Sequence, residues 1–283
     1  MKKPIVAIMY DFDKTLCTRD MQEYTFIPSI GMKANDFWAH TAVVAAEETM
    51  DSILTYMYCM LEKSQLNGKP LTRENLYACG KDIEYLPGVE GWFSRIDRYA
   101  QEAGVEVEHY ILSSGLKEII EGTSIAKYFK RIYACEFLYK DGQAIWPKMA
   151  VNYTNKTQFV YRINKGVLDI NNDVDLNNSR PDSEKRVFFS NMIYIGDGLT
   201  DVPCMKLVKQ SGGHSIAIYH PGKHHSATQL LNHERVDWMF EADYTEGSAL
   251  DRTMKTLLHN LAYYNELKVL NEQQKREFRG SKE

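Results

Sequence analysis

Four short apolar runs punctuate the chain, and each ends in small or acidic residues: "IVAIMY" before Asp11, "VEVEHYILSS" before Gly115, "NMIYIGDG" and "GHSIAIY". Runs of this length that are apolar almost throughout suit strands buried on both faces of a parallel sheet, with polar C-terminal ends left for a site. Helical stretches lie between them, such as "VEGWFSRIDRYAQEAG" and "NKTQFVYRINKG", the latter closed by Gly166. The alternation predicts an α/β fold with a doubly wound, mostly parallel sheet.

Residues 17–86 break that alternation. Met50, Ile53, Leu54, Met57 and Leu61 follow helical spacing, Thr72 offers a helix cap and Gly80 a stop, and Pro87 and Gly88 punctuate the return to the sheet. The expected layout is an α/β core of residues 1–16 and 87–265, a helical cap of residues 17–86 inserted after the first strand, and a charged C-terminal tail, 266–283. The last helix should start at Ser248, with Asp251 as a capping-box partner and Leu250, Met254, Leu257, Leu258 and Leu261 on one face. Beyond about Asn265 the charged sequence is expected to fray.

At 283 residues the chain can bury one or two full cores, and its 44% hydrophobic and 25% charged composition is that of a globular protein. A net charge of -4 without a long basic run argues against nucleic acid or an anionic membrane as partner. No stretch approaches the length of a membrane span, and the apolar run after "MKK" stops too soon for a signal peptide. The five scattered cysteines contain no CxxC pair and read as reduced thiols, so the cytoplasm is the expected location.

Candidate chemistry starts at "IVAIMYDFDKTLC". In an extended strand Asp11 and Asp13 point the same way and repel each other unless a positive charge lies beside them. A metal, a phosphate reaction or both would resolve that conflict. Together, "DFDKT" at 11–15, "ILSSG" at 111–115, Lys156 and "IGDGLTD" at 195–201 resemble the haloacid dehalogenase-like phosphohydrolase superfamily, in its phosphoserine-phosphatase-like branch with a helical cap. All four motifs of that superfamily occur in order. Each piece alone has a bland reading, as a turn, a polar loop or a solvated lysine; their coincidence does not.

The resemblance implies a role for each residue. Asp11 would attack phosphorus and form an aspartyl-phosphate, and Asp13 would protonate the leaving alkoxide and then activate water. Mg²⁺ would be held by Asp11, the Asp13 carbonyl and Asp197, with Asp201 binding the metal or holding its water shell. Lys156 would offset the charge of Asp11 and the phosphate, with Thr15, Ser113, Ser114 and Gly115 around the phosphoryl group. Asp13 favours phosphoryl transfer over carbon–halogen cleavage, because a departing halide needs no proton. Asp20 lies where phosphoserine phosphatases carry a glutamate that meets the substrate amine.

The cap supports that last expectation by its charge, six Lys or Arg against ten Asp or Glu, and by its aromatic residues. An amine-bearing monoester such as phosphoserine, phosphoethanolamine or phosphocholine would suit it. The expected function is therefore a Mg²⁺-dependent phosphatase of a small phosphomonoester. The alternatives are a phosphotransferase or mutase using the same aspartyl-phosphate, and a non-catalytic phospho-accepting module, against which Asp13 argues. The Asx-rich loop 169–185 departs from a calcium loop at Val174 and Arg180, and the histidines of 214–233 match no metal spacing.

Overall fold

The computed structural model describes residues 3–179, 181 and 184–279. Among them, seven strands form one sheet in the order β4-β3-β2-β1-β5-β6-β7. These are β1 Ile5–Tyr10, β2 Glu106–Leu116, β3 Phe129–Lys140, β4 Gln143–Met149, β5 Met192–Gly196, β6 His214–Tyr219 and β7 Trp238–Glu241. Every neighbouring pair is parallel except β3–β4. Four helices follow β1, namely α1 Phe26–Ser29, α2 Ala34–Glu47, α3 Ser52–Leu66 and α4 Arg73–Cys79. The rest are α5 Val89–Ala103, α6 Lys117–Glu121, α7 Lys156–Lys165, α8 Asp173–Asn177, α9 Val202–Gln210, α10 His225–Asn232 and α11 Ala249–Arg279. No helix of the described residues is long and apolar enough to cross a membrane.

The doubly wound sheet is as the apolar runs predict, with β1, β2, β5 and β6 at its centre. Chain order reverses at β1, which pairs with β2 on one side and β5 on the other. Such a reversal opens a crevice at the C-terminal strand ends. Tyr10, the last residue of β1, is level with Ile111 and Ile195, so all three central strands deliver their following residues to that crevice.

Three strands were not foreseen. The β3–β4 hairpin turns at Asp141-Gly142, both at positive φ (50° and 77°), the geometry of a two-residue hairpin turn. Its outer strand is largely exposed and carries Pro147, which hides the apolar alternation. The tail also differs from expectation: α11 continues to Arg279, because Leu, Lys, Glu, Gln and Arg are good helix formers. Lys275 and Glu272, one turn apart, pair at 2.9 Å. Gly80 does close α4, as expected, but in a right-handed conformation (φ −62°), and a 3₁₀ turn, Gly80–Asp82, follows. It is small because a Cβ there would run into Ile119 O and the Gly122 backbone.

The α1–α4 segment is tied to the sheet at several points. Two crossing bonds link its ends, Thr18 N to Glu84 O (3.0 Å) and Leu86 N to Leu16 O (3.1 Å). The hairpin adds Ala144 N donating to Leu71 O at 2.8 Å, and the turn after it adds Asn152 Nδ2 donating to Asp51 Oδ2 at 3.2 Å. Beneath the crevice the core keeps its polar tips paired. Trp92 Nε1 donates to Tyr10 Oη (3.0 Å), which bonds His109 Nδ1 (3.1 Å), while Tyr244 stands edge-on to Trp92 with ring centroids 5.0 Å apart.

Candidate active site

The site is built from the three central strand ends and one helix start. Asp11 follows β1, and its amide donates to Ile195 O at 3.0 Å, which locks the β1 end to β5. Lys156 opens α7 after an Asn152–Asn155 turn, in which each side chain accepts the other residue's amide. Although a lysine, it is fully buried. Its Nζ lies 3.0 Å from Asp11 Oδ1 and 2.9 Å from Asp201 Oδ1, so its charge is paired on two sides. Burial alone would lower its pKa, but Asp11 and Asp201 push it upward overall.

Asp201, also fully buried, accepts the Tyr194 hydroxyl at 2.7 Å. Asp197 accepts a long 3.5 Å bond from Thr15 Oγ1. Asp11, Asp197 and Asp201 can bring carboxylate oxygens within 4.8 Å of one another. Burial and then Asp201 raise Asp11 to about 7, and burial, Asp201 and Asp11 raise Asp197 to about 8. Three crowded oxygen donors with more negative charge than one lysine can offset fit a hard divalent cation.

Asp13 is turned elsewhere. Its Oδ1 accepts Met21 N–H at 2.8 Å, and burial, then Asp20 and Asp11, hold its pKa well above the carboxylate range. Gly115 makes that arrangement fit: a Cβ there would sit 2.8 Å from Asp13 Oδ2 and collide with the Met21 side chain. Ser113 is fully buried and its Oγ accepts Gly115 N–H at 2.9 Å. The Ser114 carbonyl is held by Tyr56 Oη (2.8 Å) and Cys135 Sγ (3.3 Å).

Asp20 is not a vacant carboxylate, because Lys14 Nζ sits 2.6 Å from its Oδ2. Partial burial lowers the Lys14 pKa, but Asp20, then Asp197 and Asp13, raise it overall, so this ammonium lies in the field of the crevice carboxylates. The turn that carries it is braced from afar. His220 Nε2 bonds Lys14 O at 3.0 Å, and Tyr244 Oη donates to Thr15 O at 2.7 Å.

Tyr194, Met21, His220 and Tyr244 were not foreseen as parts of the site; His220 and Tyr244 reach it from more than 200 positions away, and Tyr194 and Met21 reach it through chain folding close to the motifs. The other histidines of 214–233 gather no second cluster of metal-binding residues among the described residues. In the Asx-rich loop, whose Arg180 lies outside the described residues, the Asp169 and Ile170 carbonyls accept from buried Arg162 at 2.7 and 3.0 Å.

The family of haloacid dehalogenase-like hydrolases matches residues 8–206 of this chain. An uncharacterized protein of Borreliella burgdorferi is 27% identical, over 88% of this chain and 95% of its own length. A substrate-bound phosphoserine phosphatase complex superposes with a TM-score of 0.54 at 15% identity, over 86% of this chain and 95% of that one. A probable phosphoserine phosphatase from Vibrio cholerae gives 0.56 at 11% identity, over 93% and 67%. At these identities the two structures show likeness of fold. The family match runs from β1 into α9, across all four motif-bearing segments, and the chain belongs to the haloacid dehalogenase-like hydrolases.

Proposed function

We propose that the chain is a phosphatase that hydrolyses a small phosphomonoester through an aspartyl-phosphate on Asp11. The observation that carries this reading is the buried Lys156 bridging Asp11 and Asp201 in a three-carboxylate crevice, with Asp13 set apart beside it. Asp11, Asp197 and Asp201 would hold a Mg²⁺, whose charge offsets that of the phosphate dianion. Asp11 Oδ attacks phosphorus as the ester P–O bond breaks, and Ser113 and Lys156 stabilise the phosphoryl oxygens. Asp13, whose pKa burial and then Asp20 and Asp11 raise and which Met21 N–H orients, gives its proton to the leaving alkoxide. It then takes a proton from water, whose oxygen attacks phosphorus and frees Asp11. Five buried cysteines, none in a disulfide, support a reducing, cytoplasmic setting. An amine-bearing ester of the kind suggested by the acidic segment would meet at Asp20 a carboxylate already paired with Lys14.

Separating the two aspartates tests the reading. With p-nitrophenyl phosphate and Mg²⁺, Asp11→Asn should form no phosphoryl-enzyme. Asp13→Asn should still be phosphorylated, because p-nitrophenolate scarcely needs a proton, but should hydrolyse the intermediate about 10²–10⁴-fold more slowly. The expected trace is a burst near one equivalent with labelled phosphate retained on Asp11. Equal, burst-free loss in both variants would overturn the division of roles.

A further inference from the structure

Lys14 occupies a position that suits glycine better than lysine. Its φ is +57°, a left-handed conformation that costs a residue with a side chain on the order of 1 kcal/mol. The carbonyl of the same residue is pinned by His220 and the next by Tyr244, so the strain is held in place by the fold. A side chain kept at a strained position beside a reacting centre invites the question of what it does there. The Lys14 side chain is 46% exposed, whereas the crevice carboxylates behind it are largely buried.

We propose that Lys14 is a specificity-determining residue that receives an anionic group, a carboxylate or second phosphate, on the leaving portion of the substrate. This inference rests on the phosphatase reading above. An ammonium carries three donors, and one is committed, to Asp20 Oδ2 at 2.6 Å. The exposed side chain can take a second oxyanion without giving up the first. Asp20 then works as a tether, fixing an otherwise flexible side chain at the mouth of the crevice. A substrate amine would meet a less favourable situation: the Asp20 charge is already offset by the Lys14 ammonium at 2.6 Å, and a second cation beside it would be repelled by the first. Lys14 therefore turns the site away from amine recognition and toward anionic esters.

Four esters separate the two charges: glycerol 1-phosphate has neither, 3-phosphoglycerate a carboxylate, phosphoethanolamine an amine, and phosphoserine both. A bisphosphate, glycerol 1,3-bisphosphate, distinguishes a second phosphate from a carboxylate as the anion. In the wild-type protein with Mg²⁺, kcat/KM should be highest for an anionic ester without an amine and lowest for phosphoethanolamine. In Lys14→Met the ratio of kcat/KM for the preferred anionic ester to that for glycerol 1-phosphate should fall about tenfold, mainly through KM, and Lys14→Arg should restore it. Asp20→Asn keeps the ammonium and should keep most of that ratio, whereas a mere closing latch would make the Lys14→Met and Asp20→Asn variants alike, with no change of ratio in either. Such parallel behaviour, or a wild-type preference for phosphoethanolamine that Asp20→Asn abolishes, overturns the inference while leaving the phosphatase intact. Failure to hydrolyse any ester, p-nitrophenyl phosphate included, would overturn both.

Discussion

Glu108, near the start of β2, shows how a single carboxylate can matter far from the crevice. It is only 5% exposed, and Arg186, Lys130 and the Tyr110 hydroxyl all converge on it. Burial alone would raise its pKa, but these partners outweigh burial and hold it down to about 2, against an ordinary 4.5. Because the fold favours the ionised form, the stabilisation is complete above pH 4.5 and disappears as pH falls toward 2. Urea melts across that window should show a shallower acid limb in Glu108→Gln than in the wild type; identical limbs would remove Glu108 as a cause. At this scale, Asp11, Asp13, Asp197 and Asp201 stand out in the sequence because each sits in a short motif beside a strand end, whereas Lys156 stands out only by its place in the order of those motifs. Tyr244 and His220 do not, since their contacts to the 13–15 turn join residues more than 200 positions apart.

Helices and strands were legible where their apolar pattern was clean, as in β1, β5 and β6, and obscured where one face was wet. The β3–β4 hairpin is the clearest case: an Asp-Gly turn announces it, but a half-exposed outer strand hides it. Glycines in the same chain look alike in sequence and differ in what surrounds them. A Cβ on Gly122, just after α6, would collide with the Tyr77 carbonyl of α4, whereas one on Gly91, in the first turn of α5, would meet only the flexible end of Arg95 at 3.6 Å. Gly122→Ala should therefore destabilise by about 1–3 kcal/mol, the cost of overpacking. Gly91→Ala should stabilise by up to about 1 kcal/mol, the helix propensity gain. Equal effects in urea titrations would mean that the α4–α6 approach can relax.

At the scale of the whole molecule, a cation held by the crowded carboxylates of the proposed site would become part of the stability. A ligand that binds only the folded chain adds about 2.7 kcal/mol at 100 times its dissociation constant. Mg²⁺ should therefore raise the melting temperature, excess chelator should reverse the rise, and Asp197→Asn should blunt it. A melting temperature indifferent to Mg²⁺ would count against Asp11, Asp197 and Asp201 as a cation site. The doubly wound architecture followed from the apolar runs, because a sheet buried on both faces imposes them. The reach of α11 did not, because its charged final turns carry no buried face to mark them.

The Tyr244 hydroxyl that holds Thr15 has a further consequence, in the order of synthesis. A ribosome has translated β1, the serine loop, Lys156 and both later aspartates well before it reaches residue 244, and α11, which lies against α5 and pairs Asp251 with Arg95 at 2.7 Å, comes later still. A nascent chain that stops short of that point holds every acidic group of the crevice but lacks the brace on the 13–15 turn. If that brace matters to the proposed chemistry, truncation before residue 244 should cost activity although every carboxylate of the crevice is present.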